Sequence, residues 1–164
     1  MEIKFSDEDL NKVEELKSKY PNSKAALMGV LWLAQKKFGW ISKEVIEYVA
    51  GLLQLPPSHV DGVVSFYTMY FKKPMGKYHI QVCTNVSCLL RDGEEIYHYI
   101  SKKVGISNGE VTSDGLFSLE KVECMGACGG APMIAVNENY FENIDIEFVD
   151  KLIDNLRKQN GLSS

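Results

Sequence analysis

The chain has 164 residues, 45% of them apolar and 24% charged. These ordinary globular proportions exclude disordered and fibrous classes and suit one large domain or two small ones. Eighteen Lys and Arg against 22 Asp and Glu leave a net charge of −4, which argues against non-specific nucleic-acid binding through phosphate neutralisation. The longest apolar run, Ala25 to Ala34, is too short for a bilayer that needs about 20 residues. The opening Met1-Glu2-Ile3-Lys4-Phe5-Ser6-Asp7-Glu8 has no basic stretch followed by an apolar core, so no secretory leader is expected. The composition therefore points to a soluble protein kept in the compartment where it is made.

The first 70 or so residues read as helices only. Ser6 is placed to cap a helix whose first turn carries Asp7, Glu8 and Asp9, with Leu10, Val13 and Leu16 as its stripe and Pro21 as its stop. Asn22 or Ser23 opens a second helix with Leu27, Val30, Leu31 and Ala34 on one face and Trp32 and Leu33 elsewhere. Such a helix is buried among neighbours or covered by a partner. Gly39 terminates it. A third helix, capped by Ser42, carries Val45, Ile46, Val49, Leu52 and Leu53. The break at Leu55-Pro56-Pro57-Ser58 starts a short fourth one through Val60, Val63 and Val64. Phe71 to Gly76 reads as a linker, giving a helical amino-terminal region over 1–74 and a second domain over 75–164.

From Lys77 the period becomes two. Tyr78, Ile80 and Val82 alternate with His79, Gln81 and Cys83, which predicts a strand. Directly after Cys88 a helical face runs through Leu89, Gly93, Ile96, Ile100 and Val104, with Gly93 allowing close approach to a sheet. Leu116 to Cys124 and Pro132 to Val136 read as strands, and Asn137-Glu138-Asn139 as a turn toward Tyr140 and Phe141. The last helix, capped near Asp145, presents Phe148, Val149, Leu152, Ile153 and Leu156 to the core. Strand, helix, strand pair and helix make a compact α/β unit.

The four cysteines, Cys83, Cys88, Cys124 and Cys128, form two pairs spaced C-x4-C and C-x3-C. A chain that can build a full core without crosslinks, and that shows no sign of export, uses such pairs for metal or redox chemistry. Both pairs fall where strands run into loops, and Cys124 to Gly130 contains three glycines that let backbone approach closely. Zinc accepts four thiolates at these spacings. A [2Fe–2S] core takes two thiolates per iron, which two pairs supply directly, while a [4Fe–4S] cluster has no need of pairing. Charge does not decide: four thiolates leave a net −2 with Zn²⁺ and with an oxidised [2Fe–2S] core alike. The spacing favours [2Fe–2S] and leaves zinc, [4Fe–4S] and a thiol–disulfide switch open, although C-x-x-C, the thioredoxin motif, is absent.

Three stretches carry a family resemblance: Ser65-Phe66-Tyr67-Thr68-Met69-Tyr70, Pro74 to Cys88, and Glu123-Cys124-Met125-Gly126-Ala127-Cys128-Gly129-Gly130-Ala131-Pro132-Met133. Together they resemble the [2Fe–2S] subunit family of NADH-quinone oxidoreductase (complex I), over nearly the whole chain. Met125 stands where Leu is common in that family, and Gly130 where Asn is common. The resemblance implies a helical amino-terminal region followed by a thioredoxin-like domain. It implies one [2Fe–2S] cluster held by Cys83, Cys88, Cys124 and Cys128. It also implies docking on a larger flavoprotein subunit that carries FMN, the NADH site and a [4Fe–4S] cluster. By the same resemblance the chain is part of a respiratory oxidoreductase and not catalytic alone. It belongs to a peripheral arm on the cytoplasmic side of the membrane in a bacterium, or the matrix side in a mitochondrion. The equivalent subunit of an NAD-linked hydrogenase or formate dehydrogenase is the alternative.

No G-x-G-x-x-G or G-x-x-x-x-G-K-[ST] signals a nucleotide site, so the chemistry expected is one-electron transfer. Adding an electron to a centre already at −2 predicts a low potential, one that a value well above 0 mV would contradict; plant-type clusters lie at about −400 mV. His59, His79 and His98 are expected to be structural, and Tyr67, Tyr70 and Phe71 to be packing residues. Lys72, Lys73 and Lys77 read as a solvated linker. Trp32, Leu33 and Trp40 are the candidates for partner contact.

Overall fold

A computed structural model describes residues 3–161 of the chain, which divides into two compact units, Met1–Pro74 and Met75–Ser164. The first contains α1 (Asp7–Ser18), α2 (Ser23–Phe38), α3 (Lys43–Leu53) and α4 (Pro57–Phe66). Their ends follow local chemistry. Ser6 Oγ accepts the Asp9 N–H while Asp9 accepts the Ser6 N–H, a reciprocal cap on α1. Asn22 and Ser42 cap α2 and α3, and Gly39 closes α2 in the left-handed region at φ 83°.

The four apolar stripes meet in one core of Val13, Leu27, Val30, Leu31, Ala34, Val45, Val49, Leu53, Val60 and Val64. Phe5 joins it by stacking on Phe38 with centroids 5.5 Å apart. Trp32 and Leu33 are half-buried against this same core, so α2 is covered largely by its own neighbours. The segment after α4 is tied down as well. Gln35, 6% exposed, donates to the Met69 carbonyl at 2.9 Å and accepts the Phe71 N–H at 2.7 Å. The Tyr70 hydroxyl donates to the Met28 carbonyl at 2.9 Å.

The second unit contains β1 (Tyr78–Cys83), α5 (Val86–Leu89), α6 (Gly93–Val104), β2 (Phe117–Val122), β3 (Met133–Val136), β4 (Asn139–Glu142) and α7 (Ile146–Lys158). The sheet order is β2-β1-β3-β4, with β1 and β2 parallel and β3 antiparallel to both its neighbours. A parallel pair needs a crossover, and α6 supplies it. One face of the sheet (Ile80, Val82, Leu119, Ile134) packs with Ile96 and Ile100 of α6 and Val149 and Ile153 of α7. The two helices are joined by Lys103, which pairs with Asp150 and, at 2.7 Å, with Asp154, and by the Tyr99 hydroxyl donating to Asp150. Gly76 enters β1 so close to β2 that a Cβ there would lie 2.3 Å from the Phe117 carbonyl carbon.

Three sequence expectations are corrected. The helix after Cys88 is two elements: α5 already contains Cys88, and the chain turns through Asp92 at φ 64° before α6 begins at Gly93. Leu89 therefore leaves the helical face and is 51% exposed. Phe148 sits in the first turn of α7 and is exposed, leaving Val149 and Ile153 as that helix's fully buried side chains. The alternation in β1 does not separate inside from outside either, because this central strand buries His79 and Cys83 as well as Ile80 and Val82. Among the described residues no helix is long and apolar enough to cross a membrane.

Candidate metal centre

Parallel pairing of β1 and β2 brings the two cysteine loops together. Cys83, the last residue of β1, stands in register with Val122, the last of β2. The Thr84 N–H and hydroxyl both donate to the Val122 carbonyl, at 3.0 and 3.1 Å, and extend the pairing one step beyond the strands. Two chains leaving the same rim side by side place Cys88 in α5 and Cys124 and Cys128 in the loop after β2. Cys128 opens a single 3₁₀ turn, Cys128–Gly130. All four thiols are free of disulfides.

The sulfurs interact. Cys88 and Cys124 help to lower the Cys83 thiol, and Cys83 and Cys128 help to raise Cys88. Among the described residues no three His, Cys, Asp or Glu side chains converge as a single-ion site. Burial raises the Cys83 thiol, but the N–H groups of Asn85 and Met125 and the thiols of Cys88 and Cys124 outweigh it and hold Cys83 below the ordinary value. Burial first, then its proton shared with Cys83, push Cys88 up to about 11, against the opposing Met133 N–H. The Gly126 N–H donates to Cys124 Sγ at 3.4 Å, from a residue at φ 77° that a side chain would strain. Cys83 and Cys88 are buried and Cys124 and Cys128 exposed.

This donor set fits an anionic sulfur-ligated core: two pairs of thiols, backbone amides aimed at sulfur, and a protected inner side. The inner side is closed by Ala131 and Met133, which pack with Cys83 and Cys88, and the peptide between Ala131 and Pro132 is cis. Gly93 presses the start of α6 onto this loop, because a Cβ there would lie 2.8 Å from the Cys88 carbonyl oxygen. The glycine thus faces the Cys88 backbone and, at 3.2 Å, the Cys83 carbonyl oxygen at the end of β1, the close approach to the sheet that the sequence suggests.

The other candidate residues lie outside this cluster. His79 is buried four residues before Cys83, with Nδ1 2.9 Å from Ser118 Oγ and Nε2 3.1 Å from Glu120, which also accepts from Gln81. The sequence holds no hint of this network, since Ser118 and Glu120 become neighbours of His79 and Gln81 only through strand register. His59 and His98 are exposed, the latter 3.2 Å from Glu94. Tyr70 is core, whereas Phe66 is 78% and Tyr67 38% exposed. Lys72 donates to the Ser65 carbonyl and Lys77 to Asn160, so these two lysines are anchored and not merely solvated.

A four-stranded sheet in this order, with both crossover and terminal helix on one face and cysteine loops at its rim, defines a thioredoxin-like fold adapted for a sulfur-ligated centre. The chain belongs to the thioredoxin-like [2Fe-2S] ferredoxin family, which it matches over residues 13–157. It is 45% identical over 156 residues to NADH-quinone oxidoreductase subunit 2 of Thermus thermophilus, covering 93% of this chain and 86% of that one. It is 41% identical to a subunit of the NADH-quinone oxidoreductase of Rickettsia bellii, covering 93% of each. An NAD+-reducing [NiFe]-hydrogenase in its H2-reduced state shares the fold, with a TM-score of 0.73 at 21% identity. The likeness covers 81% of this chain and 22% of the hydrogenase chain.

Proposed function

We propose that this chain is the electron-transfer subunit of a respiratory NADH-quinone oxidoreductase. One [2Fe–2S] cluster is held by Cys83, Cys88, Cys124 and Cys128, beside the FMN of a partner flavoprotein. The observation that supports this reading is the register of β1 on β2, which ends Cys83 beside Val122 so that the loops bearing four free cysteines leave the same rim of the sheet. The relatives named above support the parent complex. The cluster supplies one-electron uptake and release.

The chain's own residues set the conditions for that chemistry. The amides of Asn85, Met125 and Gly126 donate to sulfur and stabilise negative charge there. Ala131 and Met133 keep water from the inner pair, and the exposed outer pair leaves a short path to a docked protein. The chain takes its place in the peripheral arm of the complex, on the cytoplasmic side in a bacterium and the matrix side in a mitochondrion.

Anaerobic purification followed by iron and acid-labile sulfide analysis tests the reading. Two of each per chain are expected, with a reddish-brown colour. One zinc without sulfide would refute it. The isolated chain is expected to show no NADH oxidation, and robust turnover without a flavoprotein contradicts the assignment.

A further inference from the structure

Beside the cysteine loops a groove of about 620 Å³ runs between the amino ends of α6 and α7. Its floor is apolar, with Ile96, Pro132 and Ile144. Leu90, 79% exposed, stands at one lip and Ile146, 42% exposed, at the other. Large apolar side chains held in water around a concave surface mark a binding face. The rim is acidic: Asp92, Glu95, Asp145 and Glu147 line the groove, against Arg91 as the cation among its lining residues. Two of these carboxylates are already engaged, Asp145 with the Phe148 N–H and Glu147 with Lys151. The Asp92 and Glu95 side chains make no hydrogen bond or ion pair among the described residues and face whatever enters. Each helix amino end contributes about half a positive charge, and with Arg91 and the Lys151 that pairs with Glu147 the four carboxylates still leave the rim net negative. The occupant this charge selects is cationic.

The groove also adjoins the candidate metal centre along the chain. Leu90 and Arg91 follow Cys88 directly after α5, Pro132 follows the 3₁₀ turn opened by Cys128, and Gly93 fixes the start of α6 against the Cys88 backbone. We infer that this groove seats a segment of the electron-exchanging flavoprotein in which Lys or Arg alternates with apolar side chains. The inference rests on the function proposed above and adds the face and the chemistry of contact.

The test uses the full chain with its cluster and the purified flavoprotein subunit of the same complex, with affinity measured by calorimetry at low and high salt. Leu90→Ser and Glu95→Lys are each expected to weaken binding at least tenfold, and the wild-type affinity to fall as salt rises. Both variants should keep the wild-type visible spectrum and melting temperature, and Glu14→Lys, a charge reversal on α1, should bind normally. Groove variants that bind like wild type overturn the inference and leave the proposed function standing. Variants that change self-association alone overturn it too, since the groove would then hold a second copy. A wild-type chain that does not bind the flavoprotein refutes the proposed function itself.

Discussion

Gly93→Ala puts two opposing effects on one residue. Alanine in place of glycine in a helix is ordinarily favourable by up to about 1 kcal/mol, because the unfolded chain has less freedom to lose. At Gly93 the new Cβ would stand 2.8 Å from the Cys88 carbonyl oxygen, 3.0 Å from its carbonyl carbon and 3.2 Å from the Cys83 carbonyl oxygen. All three are backbone atoms, so no rotamer change relieves the contact, and α6 or the cysteine loop must shift by several tenths of an ångström. Overpacking of this kind costs about 1–3 kcal/mol, and at the first helical residue it outweighs the gain in propensity. The expected net loss is about 1–2 kcal/mol, with cluster retention falling because the displaced backbone carries Cys83 and Cys88. Gly51→Ala, in the interior of α3 with no atom within 4 Å of its Cβ, is the matched control and should stabilise by about 0.5–1 kcal/mol. Urea unfolding followed by visible absorption and far-UV circular dichroism, with iron counted per chain, reads both variants. A Gly93→Ala protein that unfolds at or above the wild-type midpoint with its full iron would refute the steric reasoning.

Four further outcomes follow from the same geometry. Cys124→Ser is expected to reduce bound iron and alter the visible spectrum while far-UV circular dichroism is kept, because Cys124 is exposed and fills no core space. Gln35→Ala removes the two hydrogen bonds by which this buried side chain holds the Met69 carbonyl and the Phe71 N–H, a loss of about 1–2 kcal/mol measurable by urea titration. Asp145→Ala removes the cap on the Phe148 N–H and should lower stability by about 1 kcal/mol in the same assay. Hydrogen bonds from Lys103 and then Tyr99 hold Asp150 below the ordinary carboxylate value. A depressed carboxylate contributes stability above its unfolded value of about 3.9, lost as the pH falls through the lower folded value. Asp150→Asn should therefore flatten the fall in melting temperature below about pH 4, and an unchanged acid limb would remove that account.

The helical half was legible because its signals are local. Ser6 with Asp9, Asn22, Ser42 and Gly39 each act within a few residues of the helix end they set, and apolar spacing then fixes which face packs inward. The cysteine pairs were legible for the same reason, since spacing is a property of the chain. What the sequence could not reveal is what strand pairing creates. Cys83 and Cys124 are brought together by the register of β1 on β2, and no local pattern encodes a parallel register. The same pairing sets Ser118 opposite His79 and Glu120 opposite Gln81, turning scattered polar residues into a partly buried network.

Gly93 shows the limit most sharply. Its position in a helical pattern suggested close approach to a sheet, and the structure contains that approach at the Cys83 carbonyl of β1, but the nearest neighbour is the carbonyl of Cys88. That difference changes the meaning of the residue. A glycine against the sheet alone would matter for the core, whereas a glycine that also meets Cys88 couples the start of α6 to the sulfur-bearing loop. The break at Asp92 follows from the same contact: a continuous helix from Cys88 onward would carry the chain past this approach, and the left-handed residue at φ 64° redirects it. The turn that spoils the helical period is thus the turn that seats one end of α6 beside the cysteines and leaves Leu90 in solvent at the lip of the acidic groove.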